Sequence, residues 1–131
     1  MDSDLKAIQK LIRQLYQSVS FHRSRTPDWH TLQQAFWPKA QLVRSGLQNI
    51  ETYRLDQFMD WVDRARAQGL VAFSEEETDA STHIMGNLAH RSSHYRATVE
   101  GDTIEGVNSI QMLKHEGKWK IISILWDVPT P

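Results

Sequence analysis

Residues 107–127 read VNSIQMLKHEGKWKIISILWD, two apolar runs separated by Glu116-Gly117. Each run is rich in Val, Ile, Leu, Met and Trp and long enough for a strand, so the pair reads as an antiparallel hairpin. A two-residue turn would place Glu116 at positive φ, which is costly for a residue with a Cβ. A three-residue loop with Gly117 in the left-handed position avoids that cost, as does a four-residue loop ending at Gly117. A one-residue slip exchanges every side chain between faces. Either Trp119, Ile121, Ser123 and Asp127, or Ile122, Ile124 and Trp126, therefore share a face with Ser109. Both sets are largely apolar, which predicts a sheet covered on both faces, one by helices and the other by a second subunit.

Working back from this hairpin, the residues from Ala72 onward carry no helical stripe, only strand-like runs punctuated by Gly86-Asn87 and Gly101-Asp102. A two-residue turn at Gly86-Asn87 sets Met85 against Leu88, His83 against His90, Asp79 against His94 and Glu77 against Arg96. Opposite-charge pairs facing each other in this way support a ladder. A like turn at Gly101-Asp102 sets Val99 against Ile104, Arg96 against Val107 and His94 against Ser109. One face then carries Asp79, His94, Ser109 and Gln111, and the other Ala80, Tyr95, Ala97, Ile110 and Met112. Glu75-Glu76-Glu77 reads as a solvated strand end, because alternation divides its members between the faces.

The N-terminal half has helical periodicity. Ser3 is placed to cap a helix whose stripe is Leu5, Ile8, Ile12, Leu15 and Val19, flanked by Leu11 and Tyr16. Thr26-Pro27-Asp28 reads as a second start, with a hydroxyl N-cap, proline at the first helical position and an acid in the first turn. Trp29, Leu32 and Phe36 form that helix's apolar face, and Pro38 ends it. An extended stretch follows at Ala40–Arg44. Asp56 then caps a third helix carrying Phe58, Val62 and Ala65 and ending at Gly69. Helices first and hairpins afterwards predict an α+β fold with helices on one face of an antiparallel sheet. The expected boundaries are one domain over 1–128 and a short tail over 129–131.

Composition narrows the function. The chain has 131 residues and no cysteine, so disulfides and thiolate metal sites are excluded. The net charge is −1 with both signs dispersed, and no basic stripe favours nucleic acid. No apolar run approaches the roughly 18–20 residues that cross a bilayer, and no secretory signal opens the chain. A cytoplasmic location is expected, with no membrane partner. Five tryptophans suit a mixed apolar-polar pocket as well as a core.

The chain resembles the nuclear transport factor 2-like superfamily, the cone-shaped α+β fold shared by ketosteroid isomerase, scytalone dehydratase and SnoaL-type cyclases. The resemblance rests on the helix Ile8 to Val19 and on Asp28-Trp29-His30-Thr31-Leu32 leading to Phe36-Trp37-Pro38-Lys39-Ala40-Gln41-Leu42. It rests also on Gly106-Val107-Asn108-Ser109-Ile110-Gln111-Met112-Leu113 and Gly117-Lys118-Trp119-Lys120-Ile121-Ile122. It implies a curved sheet enclosing an internal pocket with the helices, and a homodimer through the sheet's other face. Tyr16 resembles the oxyanion-binding tyrosine of the isomerases. Ser109 stands where they carry a proton-donating aspartate, and no acid stands for their base around Ala40–Arg44, so their mechanism does not carry over.

Asp79 with His94 is the sharpest catalytic candidate, since a carboxylate raises the basicity of an imidazole and fixes its tautomer. The alternative is an ordinary half-exposed cross-strand pair. Ser109 and Gln111 are candidates to orient a ligand carbonyl or hydroxyl. Tyr16 reads as a hydrogen-bond donor or as a core tyrosine, and Trp126 as a ligand-contacting ring. His83, His90 and His94 lie near one another, but no two-histidine-plus-acid motif occurs at helical spacing, and neither a metal nor a cofactor is expected. Three functions follow: a domain binding a small apolar or aromatic metabolite, a cyclase, isomerase or dehydratase using His94 and Asp79, or a non-catalytic dimeric module.

Overall fold

A computed structural model describes residues 2–46 and 48–127; the expected tail at 129–131 lies outside them. Helix α1 (Asp2–Val19) buries Ile8, Leu11, Ile12, Leu15, Tyr16 and Val19. A fully buried aliphatic side chain of this kind contributes about 1.5–3 kcal/mol relative to exposure. Ser3 lies inside α1 rather than capping it. Lys114 and Trp119 both donate to Oδ1 of Asp4, at 3.0 and 3.1 Å, and fasten the start of α1 to the sheet. In α2 (Trp29–Ala35) the cap is Asp28, not Thr26: its Oδ1 accepts from the Thr31 amide at 3.1 Å. A carboxylate satisfies an orphan amide at a helix start at least as well as a hydroxyl.

The chain passes straight from α2 into β1 (Phe36–Ser45), so Pro38 lies within a strand instead of ending the helix. It sits where the β1 register shifts between Phe36 and Gln41, a place where a residue without an N–H is tolerated. Strand β2 (Ile50–Arg54), absent from the sequence reading, precedes α3 (Leu55–Ala67). Asp56 lies in the first turn of α3, and Gln57 Oε1 accepts from the Arg54 amide at 2.9 Å. Four long strands complete the sheet: β3 (Phe73–Met85), β4 (Leu88–Val99), β5 (Asp102–His115) and β6 (Lys118–Asp127). The helices pack on a curved, unclosed six-stranded sheet of order β2-β1-β6-β5-β4-β3. Its pairings are antiparallel except for β1 beside β6, which is parallel.

The long hairpins depart from the expected register at three places. The β3–β4 turn is Gly86-Asn87, and Asp79 faces His94 as expected. The register then shifts at Thr78, so Glu77 meets Tyr95 and Glu76 meets Arg96. One extra residue on a strand reverses the facing of everything beyond it. The β4–β5 turn is Glu100-Gly101, not Gly101-Asp102; Val99 pairs Asp102, and His94 pairs Val107 instead of Ser109. A shift of two leaves each residue on its expected face. The β5–β6 turn is Glu116-Gly117, with His115 opposite Lys118. Glu100 and Glu116 both adopt φ 51° and the following glycines 95° and 77°, the paired positive φ of a turn whose twist matches a hairpin. That match outweighs the roughly 1 kcal/mol or more that a Cβ costs there.

Candidate functional site

A cavity of about 390 Å³ lies between the inner face of the sheet and the helices. Its wall is overwhelmingly apolar, built from α1 (Leu15, Tyr16, Val19), α3 (Phe58, Val62, Ala65) and inward residues of β1 and β3–β6. The exposed Trp61 and Asp127 also line it and mark where it opens. The register shift within the closing hairpin, between Gln111 and Met112 opposite Ile121 and Ser123, resolves its facing. Ile124 and Trp126 face inward with Ile110 and Asn108, and beyond the shift Trp119 and Ile121 face inward as well. Ser123 and Leu125 face outward with Gln111 and Ser109. The set Trp119, Ile121, Ser123 and Asp127 is thus split, while Ile124 and Trp126 of the other set lie on the face opposite Ser109.

Of the residues singled out from the sequence, Tyr16 and Trp126 line the cavity. The other four lie on the opposite face of the sheet. Asp79 and His94 are opposite each other there, and both are exposed. Ser109 Oγ is 2.9 Å from Nε2 of His90, and Gln111 accepts from Ser123 Oγ at 3.0 Å. None of these four lines the cavity that Tyr16 lines.

The cavity's polar end is built by Glu75 and Asn108, which corrects the expectation of a solvated strand end at Glu75-Glu76-Glu77. The shift at Thr78 turns both Glu75 and Glu77 inward and leaves Glu76 exposed. Glu75 lines the cavity, and its backbone is fixed by Ser20 Oγ, which accepts from the Glu75 amide at 3.1 Å. Beside it, Phe73 and Phe21 exchange backbone hydrogen bonds of 2.8 and 3.0 Å. Burial pushes the Glu75 carboxyl up to about 7, while a hydrogen bond from Asn108 pulls the other way. A carboxylic acid drawn into an apolar wall resists ionisation because its charged form loses hydration.

Behind the wall, a hydrogen-bond chain has one consistent direction. Arg91, 7% exposed, donates to both Glu77 oxygens, at 3.0 Å from Nε and 2.5 Å from Nη2. Guanidinium keeps its charge in proteins, so Glu77 beside it is an acceptor. Ser93 Oγ lies 2.6 Å from Glu77 Oε2 and must donate to it. Its single proton is then committed, so at 2.6 Å the Tyr16 hydroxyl donates to Ser93. Tyr16 in turn accepts from Asn108 Nδ2 at 3.0 Å, and the same amide nitrogen reaches Glu75 Oε1 at 3.3 Å. Burial, more than its partners, raises the Tyr16 phenol to about 12. Its proton points to Ser93, not to a ligand. Tyr95 packs over Gly106, where a Cβ would lie 2.5 Å from the phenolic oxygen. Burial first, then Glu75 and Asp127, raise its phenol too.

No protein-family model and no curated relative matches the chain. Solved structures do. An NTF2-like protein of unknown function from Pseudomonas putida KT2440 superposes with TM-score 0.77 over 100% of this chain and 90% of its own, at 14% identity. An NTF-2 like protein of unknown function from Silicibacter pomeroyi DSS-3 gives 0.69 over 95% of each chain at 19% identity. A hexachlorocyclohexane dehydrochlorinase from Novosphingobium barchaimii LL02 gives 0.74, covering 95% of this chain and 85% of its own at 17% identity. At these identities the likeness is one of fold, the NTF2-like cone, which hosts unrelated functions.

Proposed function

We propose that this NTF2-like chain, acting as one domain over 1–128, binds a small apolar or aromatic metabolite in the cavity, with Glu75 as its polar anchor. One observation carries the reading: an apolar enclosure of ligand size has the buried carboxyl of Glu75 held in its wall, with the exposed Asp127 at its mouth. Pockets with few, fixed polar groups recognise small molecules by orienting one functional group and burying the rest. Tyr16 and Trp126 contribute ring surface. The test is titration with a neutral naphthalene dye whose emission rises in apolar sites. Saturable binding of one dye per chain, lost in Ala65→Trp, supports the reading; no binding, or binding untouched by that substitution, overturns it.

A second reading, an enzyme of the isomerase, dehydratase or cyclase kind, is favoured by the raised Glu75 carboxyl. A group titrating near neutrality can both take and return a proton. In that reading Glu75 performs the proton transfer expected of His94 and Asp79, which lie outside the cavity. The dehydrochlorinase relative is an enzyme on this fold with a cyclic, apolar substrate in its name, and that lends support. The proposed homodimer would use the sheet's outer face, where Leu88, Val107 and Leu125 are about half exposed. Among the described residues no helix is long and apolar enough to cross a membrane.

A further inference from the structure

Glu75 differs from the other inward-facing charges. Arg91 and Glu77 neutralise each other, and Arg44 is paired with Glu51 at 3.3 Å. Among the described residues no cation pairs with Glu75; its side-chain partner is the neutral amide of Asn108, on Oε1. No fully buried side-chain oxygen or nitrogen among these residues lacks a partner. Oε2 of Glu75, which has none, therefore opens on accessible space, and the space that Glu75 lines is the cavity.

Building on the reading of that cavity as a small-molecule site, we propose that its ligand is a hydrophobic amine, whose protonated nitrogen docks on Glu75 Oε2 while its apolar body fills the enclosure. The charged residues lining the cavity are Arg44, Glu75 and Asp127. With Arg44 committed to Glu51, carboxylates are in excess, which repels an anionic ligand and attracts an ammonium. Removing a carboxylate from water without a cation is costly, and a ligand supplying the cation offsets that cost. The rings of Phe73 and Tyr95, on the same inner face, present further negative electrostatic surface to a cation.

A neutral acceptor, such as a ketone, is served by the protonated carboxyl; an ammonium is served by the ionised one. The two ligand classes thus differ in the sign of their pH dependence. Facing Glu75 are Tyr16 from α1, Tyr95 from β4, Glu77 with its partner Arg91, and the non-titrating Asn108 from β5; Asp127 and Arg44 complete the lining from β6 and β1. Tyr16 is held near 12 and Tyr95 above its ordinary value. Glu75 is the group displaced into the neutral range.

The test is equilibrium binding of naphthylethylamine, ethylnaphthalene and acetonaphthone from about pH 5 to about pH 8, where the amine keeps its proton. At the upper end the amine is expected to bind about ten- to a hundred-fold more tightly than the hydrocarbon, through a charge-assisted hydrogen bond. Its affinity rises with pH through about 7, and Glu75→Gln closes the gap between amine and hydrocarbon. Should that variant fail to fold, the wild-type pH series decides alone. Hydrocarbon binding with no advantage for the amine overturns the proposal, as does a preference for the ketone that weakens with rising pH. If none of the three binds, the cavity reading itself fails and the amine goes with it.

Discussion

The hydroxyl of Tyr16 lies 2.6 Å from Oγ of Ser93, and the Arg91–Glu77 ion pair behind Ser93 makes the tyrosine the donor. A phenol in the helix–sheet junction is thereby turned away from the cavity it lines. Tyr16→Phe leaves Ser93 without a donor and Asn108 with one fewer acceptor. Such losses cost about 1–3 kcal/mol each when buried. The expectation is a clear drop in the urea midpoint with dye affinity changed less than threefold. Unchanged stability with weakened binding would instead make Tyr16 a ligand donor.

The Arg91–Glu77 pair should behave as a buried charge pair. Glu77→Gln alone strands a guanidinium that is 7% exposed and is expected to destabilise by about 3 kcal/mol, the low end for such pairs because Glu77 is partly solvated. Glu77→Gln with Arg91→Met should recover most of that loss. A double-mutant cycle from denaturant unfolding measures the coupling, and additive losses would show that the pair acts as two independent groups.

Stability should fall as pH rises from about 4.5 to 7. The folded-state value of Glu75 lies above its ordinary 4.5, at about 7, so between these values the native state holds a proton that the unfolded chain has released. The stabilisation is complete below the lower value and lost through the upper, amounting to as much as about 3.5 kcal/mol at 1.4 kcal/mol per pH unit. Urea midpoints of the wild type relative to Glu75→Gln read it out. A flat difference curve contradicts this, and so does a rising one.

Much of the architecture is legible in the sequence because periodicity reports it directly. The stripe from Ile8 to Val19 and the three glycine-marked turns give α1 and β3–β6, and the Asp79–His94 opposition follows from Gly86-Asn87. The cavity's chemistry is not legible, because one residue controls it. Without the extra residue at Thr78, alternation from Ala80 would send Glu75 and Glu77 outward, and the sequence bears no glycine or proline to mark that shift. The same holds at Ile122, where an unmarked irregularity turns Trp119 and Trp126 to one face. At Glu100 and Glu116 the turn is made with a residue that ordinarily avoids positive φ, so choosing turns by residue cost alone moved one hairpin by two residues and lengthened the other.

Gly106 should be irreplaceable while Tyr95 faces it. A Cβ there would lie 2.5 Å from the Tyr95 oxygen and 2.7 Å from Cζ, and overpacking of this kind costs about 1–3 kcal/mol. Gly106→Val is expected to lower the thermal midpoint and weaken dye binding by pushing the ring into the cavity. Tyr95→Leu in the same chain should restore stability. Failure of that rescue would place the strain in the strand itself.

The outer face offers its own check. If Val107 and Leu125 are buried between two copies, Leu125→Glu should shift sedimentation from dimer to monomer while Glu75-dependent binding persists. A wild-type monomer at high protein concentration removes the dimer from the account.

The most direct measurement is the carboxyl carbon resonance of Glu75 followed through a pH titration, with and without the neutral naphthalene dye. A carboxyl at the polar end of an apolar, ligand-binding cavity titrates near 7, and higher still when the dye displaces water from around it. A midpoint close to 4.5, or one that the bound dye leaves in place, would contradict the account.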